Sequence, residues 1–290
     1  MFGQMMINEK GIINELEYKI DKAIIRLRTF EPDDGYWLAF SGGKDSLVIY
    51  DLAKKAGVKF EANYNITTVD PPELIYFIKE KYTDVKFNKP PENMTMWKLI
   101  IKKRMPPTRI VRYCCKYFKE AGGDGRFVIT GVRAAESNKR KKNRAAIELN
   151  SMRKYVNKLN DNDEARKMIE TCTMRSKHII NPIIDWSDEN IWEYIRLNNL
   201  EYCKLYDEGF KRLGCVGCPM AGKRVIKEFN RWIKIKEQYI RTFQKMVDKR
   251  KKDGLKTQWN TGEEVYSWWI KENEKQKIQN ENQIILEDLI

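Results

Sequence analysis

Apolar positions in the first half of the chain switch between two spacings, and the switching predicts a strand-helix-strand series. Ile12, Ile13, Leu16, Ile20, Ala23, Ile24 and Leu27 recur at three- and four-residue intervals among charges, so residues 8–30 are expected to form an amphipathic helix. Glu31-Pro-Asp-Asp-Gly35 breaks that pattern, and Trp37 to Phe40 is a short apolar run of strand type. Leu47, Tyr50 and residues 52–56 return to helical spacing. Residues 59–66 read as a second strand, and Pro71 and Pro72 open a helix reaching Lys79 with Glu73 in its first turn. A short strand over 84–88, a short helix over 94–103 and a buried strand over Arg126-Phe-Val-Ile-Thr-Gly-Val132 follow. This order predicts an α/β chain, a parallel twisted sheet with right-handed crossovers and helices on its faces. Ligands of such sheets sit beyond the carboxyl ends of the strands. That selects residues 41–46, the Thr67-Thr68-Val69-Asp70 loop and the loop beginning at Gly131.

The second half is patterned differently. Residues 145–176 are polar, with Ile147, Leu149, Met152, Tyr155, Val156, Leu159, Ala165 and Met168 dispersed among charges. One or two helices are expected there, as a lid, a substrate platform or a solvated excursion. Over residues 181–195, Ser187 or Asp188 is placed to cap a helix turning Ile191, Trp192 and Ile195 inward. Residues 223–256 predict an amphipathic helix pair. Its stripe of Val225, Phe229, Trp232, Ile233, Ile235, Tyr239, Ile240, Phe243 and Met246 points to a core, and its outer face offers Lys and Arg to a phosphate backbone. Trp259, Trp268 and Trp269 are expected to pack this part back, ahead of a polar tail over 272–283. The expected organisation is an N-terminal helix over 1–30, a domain over 31–222 containing the 145–176 insertion, and a basic helical C-terminal part over 223–290.

Composition narrows the classes. With 42% hydrophobic and 11% aromatic residues the chain has material for a sizeable core, which excludes global disorder. The net charge of +14 fits either an anionic partner or a lysine-rich solvated surface, with equal weight. No run approaches the ~18 apolar residues of a membrane helix. The start lacks the basic-then-apolar pattern of an export signal, so the cytoplasm is the expected location and no membrane partner is expected. Six cysteines in such a chain read as thiols rather than a disulfide framework. His178, the single histidine, reads as a loop or strand residue.

The chemistry concentrates in Ser41-Gly42-Gly43-Lys44-Asp45-Ser46, a turn between a strand and a helix. Gly42 and Gly43 allow close backbone approach, and Ser41, Asp45 and Ser46 are candidates to cap the helix. Amides and the positive end of a helix dipole then converge on one small volume, whose natural occupant is a phosphate. The spacing is not that of a Walker A loop. It resembles the PP-loop, SGGxDS, of the ATP pyrophosphatase and adenine nucleotide alpha-hydrolase superfamily. That resemblance implies a grip on the pyrophosphate of ATP and chemistry at the alpha-phosphate. Gly131, Arg133, Glu136, Ser137 and Arg140 match in register the G-[IV]-R-x-x-[EQ]-S-x-x-R element of the phosphoadenosine phosphosulfate (PAPS) reductase family. Arginine suits the place because its planar fork clamps phosphate or sulfate oxygens bidentately; an exposed basic loop is the plainer reading. Residues 181–195 and 205–218 are similar to two further segments of that family, and the resemblance covers residues 30–222.

By the same resemblance, Cys114-Cys115 and Cys215-x-x-Cys218 look like the ligand set of a [4Fe-4S] cluster in the adenylyl-sulfate reductase branch and in DNA phosphorothioation enzymes. Zinc competes for four cysteines, although adjacent cysteines chelate one ion awkwardly. Cys172 and Cys203 follow no pattern. Two departures separate the chain from PAPS reductases: no cysteine follows Cys218, and the loop is intact, which favours ATP. The resemblance thus implies an ATP-dependent iron-sulfur enzyme of sulfurtransferase type. Ser41, Gly42, Gly43, Lys44, Asp45, Ser46, Thr68, Asp70, Gly131, Arg133, Glu136 and Ser137 would hold adenine nucleotide with Mg²⁺, and Lys44, Asp45, Arg133 and Arg140 would act at the reacting phosphate. DNA or tRNA is the leading acceptor, with a sulfur-donor or partner protein; a homodimer is among the options for assembly. The alternatives are a PAPS or adenylyl-sulfate reductase using an external thiol, and a nucleotide-binding regulatory module of a mobile element.

Overall fold

The first helix is capped by Asn14 and starts there. Asn14 Oδ1 accepts the Glu17 N–H at 2.8 Å, and the Glu17 carboxylate accepts the Asn14 N–H at 3.3 Å, closing a capping box. α1 (Glu15–Thr29) is therefore shorter than the apolar spacing predicts, and an antiparallel hairpin, β1 (Met6–Asn8) with β2 (Gly11–Ile13), precedes it. The computed structural model describes residues 6–8, 11–119, 122–136, 141, 144–150, 156–159 and 177–274. In order follow β3 (Tyr36–Ala39), α2 (Lys44–Ala56), β4 (Phe60–Asn65), α3 (Pro72–Lys81), β5 (Lys86–Asn88), α4 (Met96–Lys103), α5 (Tyr113–Phe118), β6 (Phe127–Ile129), β7 (Ile147–Asn150), β8 (Val156–Leu159), β9 (Lys177–Ile180), α6 (Asp188–Leu197), α7 (Arg224–Arg231), α8 (Ile233–Lys252) and α9 (Gly262–Glu274). They divide into two compact units, the first drawn from Met1–Tyr64, Glu73–Asn88 and Gly122–Leu213, the second from Asn65–Pro72, Lys89–Ala121 and Gly214–Ile290.

In the first unit the sheet order is β5-β4-β3-β6-β9-β7-β8. The expected parallel core is present: Leu38 pairs with Ala62 of β4 on one side and Ile129 of β6 on the other, and Ile129 pairs with Ile180 of β9. α2 lies against α1 and α6 and buries Leu47, Val48, Ile49, Leu52 and Ala53 completely. Each of the larger of these contributes about 1.5–3 kcal/mol by leaving water. The chain leaves β3 through α2 for β4 and later enters β6 on the opposite side of β3. The β3–β6 boundary is thus the switch point of the sheet, where crevices form.

One expectation is corrected. Residues 147–150 and 156–159 are strands, not helices. Ile147 pairs with Ile180 of β9 and Leu159 of β8, both antiparallel, so the backbone of β9 captures a stretch whose Ile147-x-Leu149 alternation is also strand-like. The rest of the predicted insertion lies outside the described residues.

The second unit is helical. α8 packs on α4 and α9, and most of the stripe read as core is core: Val225, Phe229, Trp232, Tyr239, Phe243 and Met246 are buried, whereas Ile233 at the start of α8 is exposed. The Trp269 ring lies 5.0 Å from Tyr239 and 5.3 Å from Phe243, and its Nε1 donates to the Pro107 carbonyl at 2.6 Å. Trp259 stacks on Trp268.

His178 is a strand residue, on β9, stacked on Phe127 at 4.5 Å with its Nδ1 buried and unpartnered. Burial lowers its pKa. As pH falls below the ordinary value near 6.5 the unfolded chain takes up this proton before the folded one. Stability is therefore intact above that pH and drains as pH drops through the folded pKa. Chemical denaturation between pH 7.5 and 5 is expected to show a midpoint that falls with pH in the wild type and falls less in His178→Leu.

Candidate nucleotide site and thiol cavity

The loop joining β3 to α2 lies at the carboxyl end of the central strand of the first unit. Gly42 has φ of +70°, and a Cβ there would stand 2.6 Å from Ile78 Cδ1 and 2.8 Å from Leu74 Cδ1. No side chain fits, so the turn can close against α3 only with glycine. The N-cap of α2 is Gly43, and no side chain caps it. Ser41, Asp45 and Ser46 thus do not cap as expected. Ser41 lies two residues too early, and Ser46 Oγ turns back to donate to the Gly43 carbonyl at 2.8 Å. The Lys44 amide donates to Tyr206 Oη at 2.9 Å, while the amides of Gly42 and Asp45 find no partner among the described residues. Two free donors at a helix N-terminus favour an anion.

Around this turn the side chains form a closed charge network. Lys44 Nζ lies 2.9 Å from Asp188 Oδ1 and 3.4 Å from Asp45 Oδ2. Arg133 Nε reaches Asp45 Oδ1 at 2.6 Å, and one of its terminal nitrogens reaches Asp188 Oδ1 at 2.9 Å. Lys44 and Arg133 are 5% and 3% exposed, whereas the Asp188 side chain is 56% exposed. Two cations buried to this degree need partners, and Asp45 and Asp188 neutralise them. Burial acts to raise the Asp188 carboxyl, but hydrogen bonds and charge from Lys44 and Arg133 outweigh it and hold it below the usual carboxylate range. Gly131 lies against Asp45, and Glu136 accepts the Arg133 N–H at 3.1 Å, fixing the loop that presents the arginine.

The first unit thus brings together Ser41, Gly42, Gly43, Lys44, Asp45, Ser46, Gly131, Arg133 and Glu136. Ser137 and Arg140 lie outside the described residues, as does Cys172. Thr68 and Asp70 belong to the second unit and serve its loop: the Asp70 carboxylate accepts the Thr67 N–H at 2.8 Å and the Thr67 hydroxyl at 2.7 Å, and Thr68 Oγ1 accepts the Met96 N–H at 2.9 Å. Two contributors escaped the sequence reading. Asp188 passed as a helix cap, a task that Ser187 performs in a capping box with Asn190. Tyr206 passed as one member of the 205–218 segment, given no role of its own. Only folding shows what either touches.

The second unit holds the four patterned cysteines. Cys114 and Cys115 on α5, and Cys215 and Cys218 ahead of a tight turn at Pro219–Ala221, line one small cavity, partly open to solvent. Met96, Pro107, Phe118 and Tyr239 supply its apolar wall. Cys203, by contrast, is a buried core thiol in the first unit. Gly217 has φ of +73°, and a Cβ there would strike Phe229 at 2.6 Å, so the Cys215–Cys218 turn is drawn tight against α7. Its amide donates to Glu228 Oε2 at 2.9 Å, and burial pushes the Glu228 carboxyl up to about 7 despite that bond. Val216 N–H donates to the Val69 carbonyl at 2.8 Å, and Tyr239 Oη donates to the Val216 carbonyl at 3.1 Å, so the turn is held from three sides.

Electrostatics in the cavity are those of crowded thiols. A hydrogen bond that the Cys114 thiol donates to its neighbour Cys115, then burial, then negative charge on the other cysteines hold Cys114 far above its usual range. Burial, then Cys215, raises Cys218 against the opposing pull of Lys119. Negative charge at Cys215, outweighing burial, raises the Lys119 ammonium, which hydrogen-bonds that cysteine. Lys119 sits one helical turn beyond Cys115, a spacing that could have marked it in the sequence. Four thiols that repel one another's charge suit a cationic centre that accepts all of them. Among the described residues no three His, Cys, Asp or Glu side chains are spaced to hold a single metal ion. Four thiols around one cavity meet the ligand count of a [4Fe-4S] cluster and equally that of a tetrahedral zinc ion.

Comparison with known proteins agrees with the family resemblance. A relative of Methanocaldococcus jannaschii, an uncharacterized protein, is 30% identical over 226 residues, 74% of this chain and 47% of the relative. A second protein of that organism is 26% identical over 82% of this chain and 43% of its own length, so the chain spans about half the length of these two relatives. The adenosine 5'-phosphosulfate reductase of Oceanobacillus iheyensis is 27% identical over 62% of this chain and 69% of the enzyme. Among solved structures, the PAPS reductase from Candida auris in a phosphate complex covers 74% of this chain and 99% of its own at 16% identity, with a TM-score of 0.45. The domain model described as phosphoadenosine phosphosulfate reductase matches residues 35–221, the span that carries the phosphate loop, Arg133 and all four patterned cysteines. With well over half of its length inside that match, the chain belongs to the phosphoadenosine phosphosulfate reductase family.

Proposed function

We infer that the chain is an ATP-dependent enzyme that activates an acceptor oxygen for replacement by sulfur, with a nucleic acid as the acceptor class. The observation that carries this reading is the intact loop at residues 41–46, with free amides at Gly42 and Asp45 beside buried Lys44 and Arg133. A pyrophosphate tail is long enough to use all of them. Its oxygens would take the two amides, and Lys44 and Arg133 would exchange their carboxylate partners for phosphate oxygens. Asp45 and Asp188 are then the carboxylates that would hold Mg²⁺, which neutralises charge on the departing pyrophosphate. The acceptor oxygen attacks the alpha-phosphorus, the bond to the beta-phosphate oxygen breaks, and pyrophosphate leaves. The adenylated oxygen departs as AMP when a sulfur nucleophile from a donor protein replaces it. Cys114, Cys115, Cys215 and Cys218 would hold a [4Fe-4S] cluster, which supplies a place to bind or polarise sulfur.

A second reading is reduction of adenylyl sulfate with a thiol from a separate protein. The relatives named adenosine 5'-phosphosulfate reductase favour it.

Thermal unfolding of the anaerobic protein with Mg-ATP, adenylyl sulfate and PAPS in parallel separates the two. A ligand at a hundredfold excess over its dissociation constant stabilises by about 2.7 kcal/mol. The expected result is a shift with Mg-ATP that Lys44→Ala removes, together with pyrophosphate release on adding acceptor. A shift with sulfonucleotides alone, and sulfite as product, would replace the first reading by the second.

A further inference from the structure

We propose that the outward face of α7 and α8 is the docking surface for the phosphate backbone of a nucleic acid. Residues 223–256 hold thirteen Lys and Arg against four Asp and Glu, so nine of the chain's fourteen net positive charges fall on this one stretch. Their placement on α8 is ordered. Lys234, Arg241, Lys245 and Lys252 are all exposed, and at 3.6 residues per turn they fall within about 40° of one another in a stripe about 27 Å long. Among the described residues none of the four has a carboxylate partner; Arg241 meets the Gln238 amide oxygen at 3.1 Å. Lys249, beside them, is neutralised by Asp253 at 2.8 Å. Glu237 and Asp248 border the stripe, the latter engaged by Gln244 at 2.9 Å. Lys223 extends the positive charge to the start of α7.

Nucleic acid fits this face better than a membrane does. A helix lying on lipid turns its aromatic and apolar side toward the bilayer. On α8 that side, with Tyr239, Phe243 and Met246, is already buried against α4 and α9. What remains outside is cationic, with the isolated side chains of Ile226 and Ile233 at 43% and 58% exposure. The inner side of the same helices supports the thiol cavity, through Tyr239 in its wall and Glu228 on the Gly217 amide. The surface names the partner of the proposed reaction and so rests on that reading, but its test needs neither ATP nor metal.

The test is fluorescence anisotropy of the full chain with labelled single-stranded DNA, duplex DNA and single-stranded RNA of one sequence, between 50 and 300 mM salt. Lys234→Gln, Arg241→Gln, Lys245→Gln and Lys252→Gln combined keep good helix formers on an exposed face, and circular dichroism confirms folding. The expected result is binding by the wild type to at least one probe, with log Kd linear in log salt. In the variant affinity falls at least tenfold at low salt and the slope drops by about three to four units for a duplex, or two to three for a single strand. Unchanged binding and slope in the folded variant, or no binding by the wild type to any probe, would overturn the proposal. So would capture by phosphatidylserine vesicles without binding to nucleic acid. Pyrophosphate release from Mg-ATP, measured separately, tells failure of this surface from failure of the proposed chemistry.

Discussion

Gly42→Ala is expected to abolish the response to adenine nucleotide and to lower stability by about 2–5 kcal/mol. Two costs add. Holding an L-residue in the left-handed region costs roughly 1–2 kcal/mol, and the glycine φ is +70°. Forcing a methyl into a packed site costs about 1–3 kcal/mol more, and the new Cβ would lie 2.6 Å from Ile78 and 2.8 Å from Leu74, side chains that are fully or almost fully buried. Relief requires the turn to move away from α3, and this moves the free amides of Gly42 and Asp45 with it. A thermal scan should show a midpoint lower by about 5–10 °C in a chain of this size, and Mg-ATP should no longer raise it. A variant with an unchanged midpoint and an intact nucleotide shift would mean that the turn is not held against α3 as described. Gly125→Ala is a useful control. It also changes a glycine of positive φ but meets nothing within 4 Å, so only the backbone cost applies.

The sequence made the strand, the glycine turn and the helix around residue 42 legible because each depends on neighbours along the chain. The same holds for the Ser187 cap and for most of the aromatic stripe that becomes the core of the second unit. The antiparallel pair β7 and β8 was not legible, since its pairing depends on β9, a partner some thirty residues away whose register no local pattern encodes. Asp188 and Tyr206 show the same limit at the site. The first reads locally as a residue of a helix's first turn and the second as one residue of the 205–218 segment. Their contacts, with Lys44 and Arg133 for the one and the Lys44 amide for the other, cross 140 to 160 residues of chain or lie on separate strands' loops. Composition gave the surplus of positive charge but not its arrangement. Only the helical phase of α8 turns four lysines and arginines into one stripe.

Cys218→Ser is expected to remove metal from the protein without unfolding it. Anaerobic reconstitution of the wild type with ferrous iron and sulfide should yield about four irons and four sulfides per chain, the content of one [4Fe-4S] cluster. The variant should retain less than about a tenth of the iron. Serine conserves the size of the side chain, and the turn that carries position 218 stays anchored by Gly217 to Glu228, by Val216 to Val69 and by Tyr239 to the Val216 carbonyl. The metal-free thermal midpoints of variant and wild type should therefore agree within a few degrees, which separates loss of a ligand from loss of the fold. Because the thiols must shed protons to bind, iron loading of the wild type should improve as pH rises. Recovery of about one zinc per chain with no iron would replace the cluster by a tetrahedral site. Equal iron in wild type and Cys218→Ser would exclude this cysteine as a ligand, and with it the four-thiol assignment of the cavity.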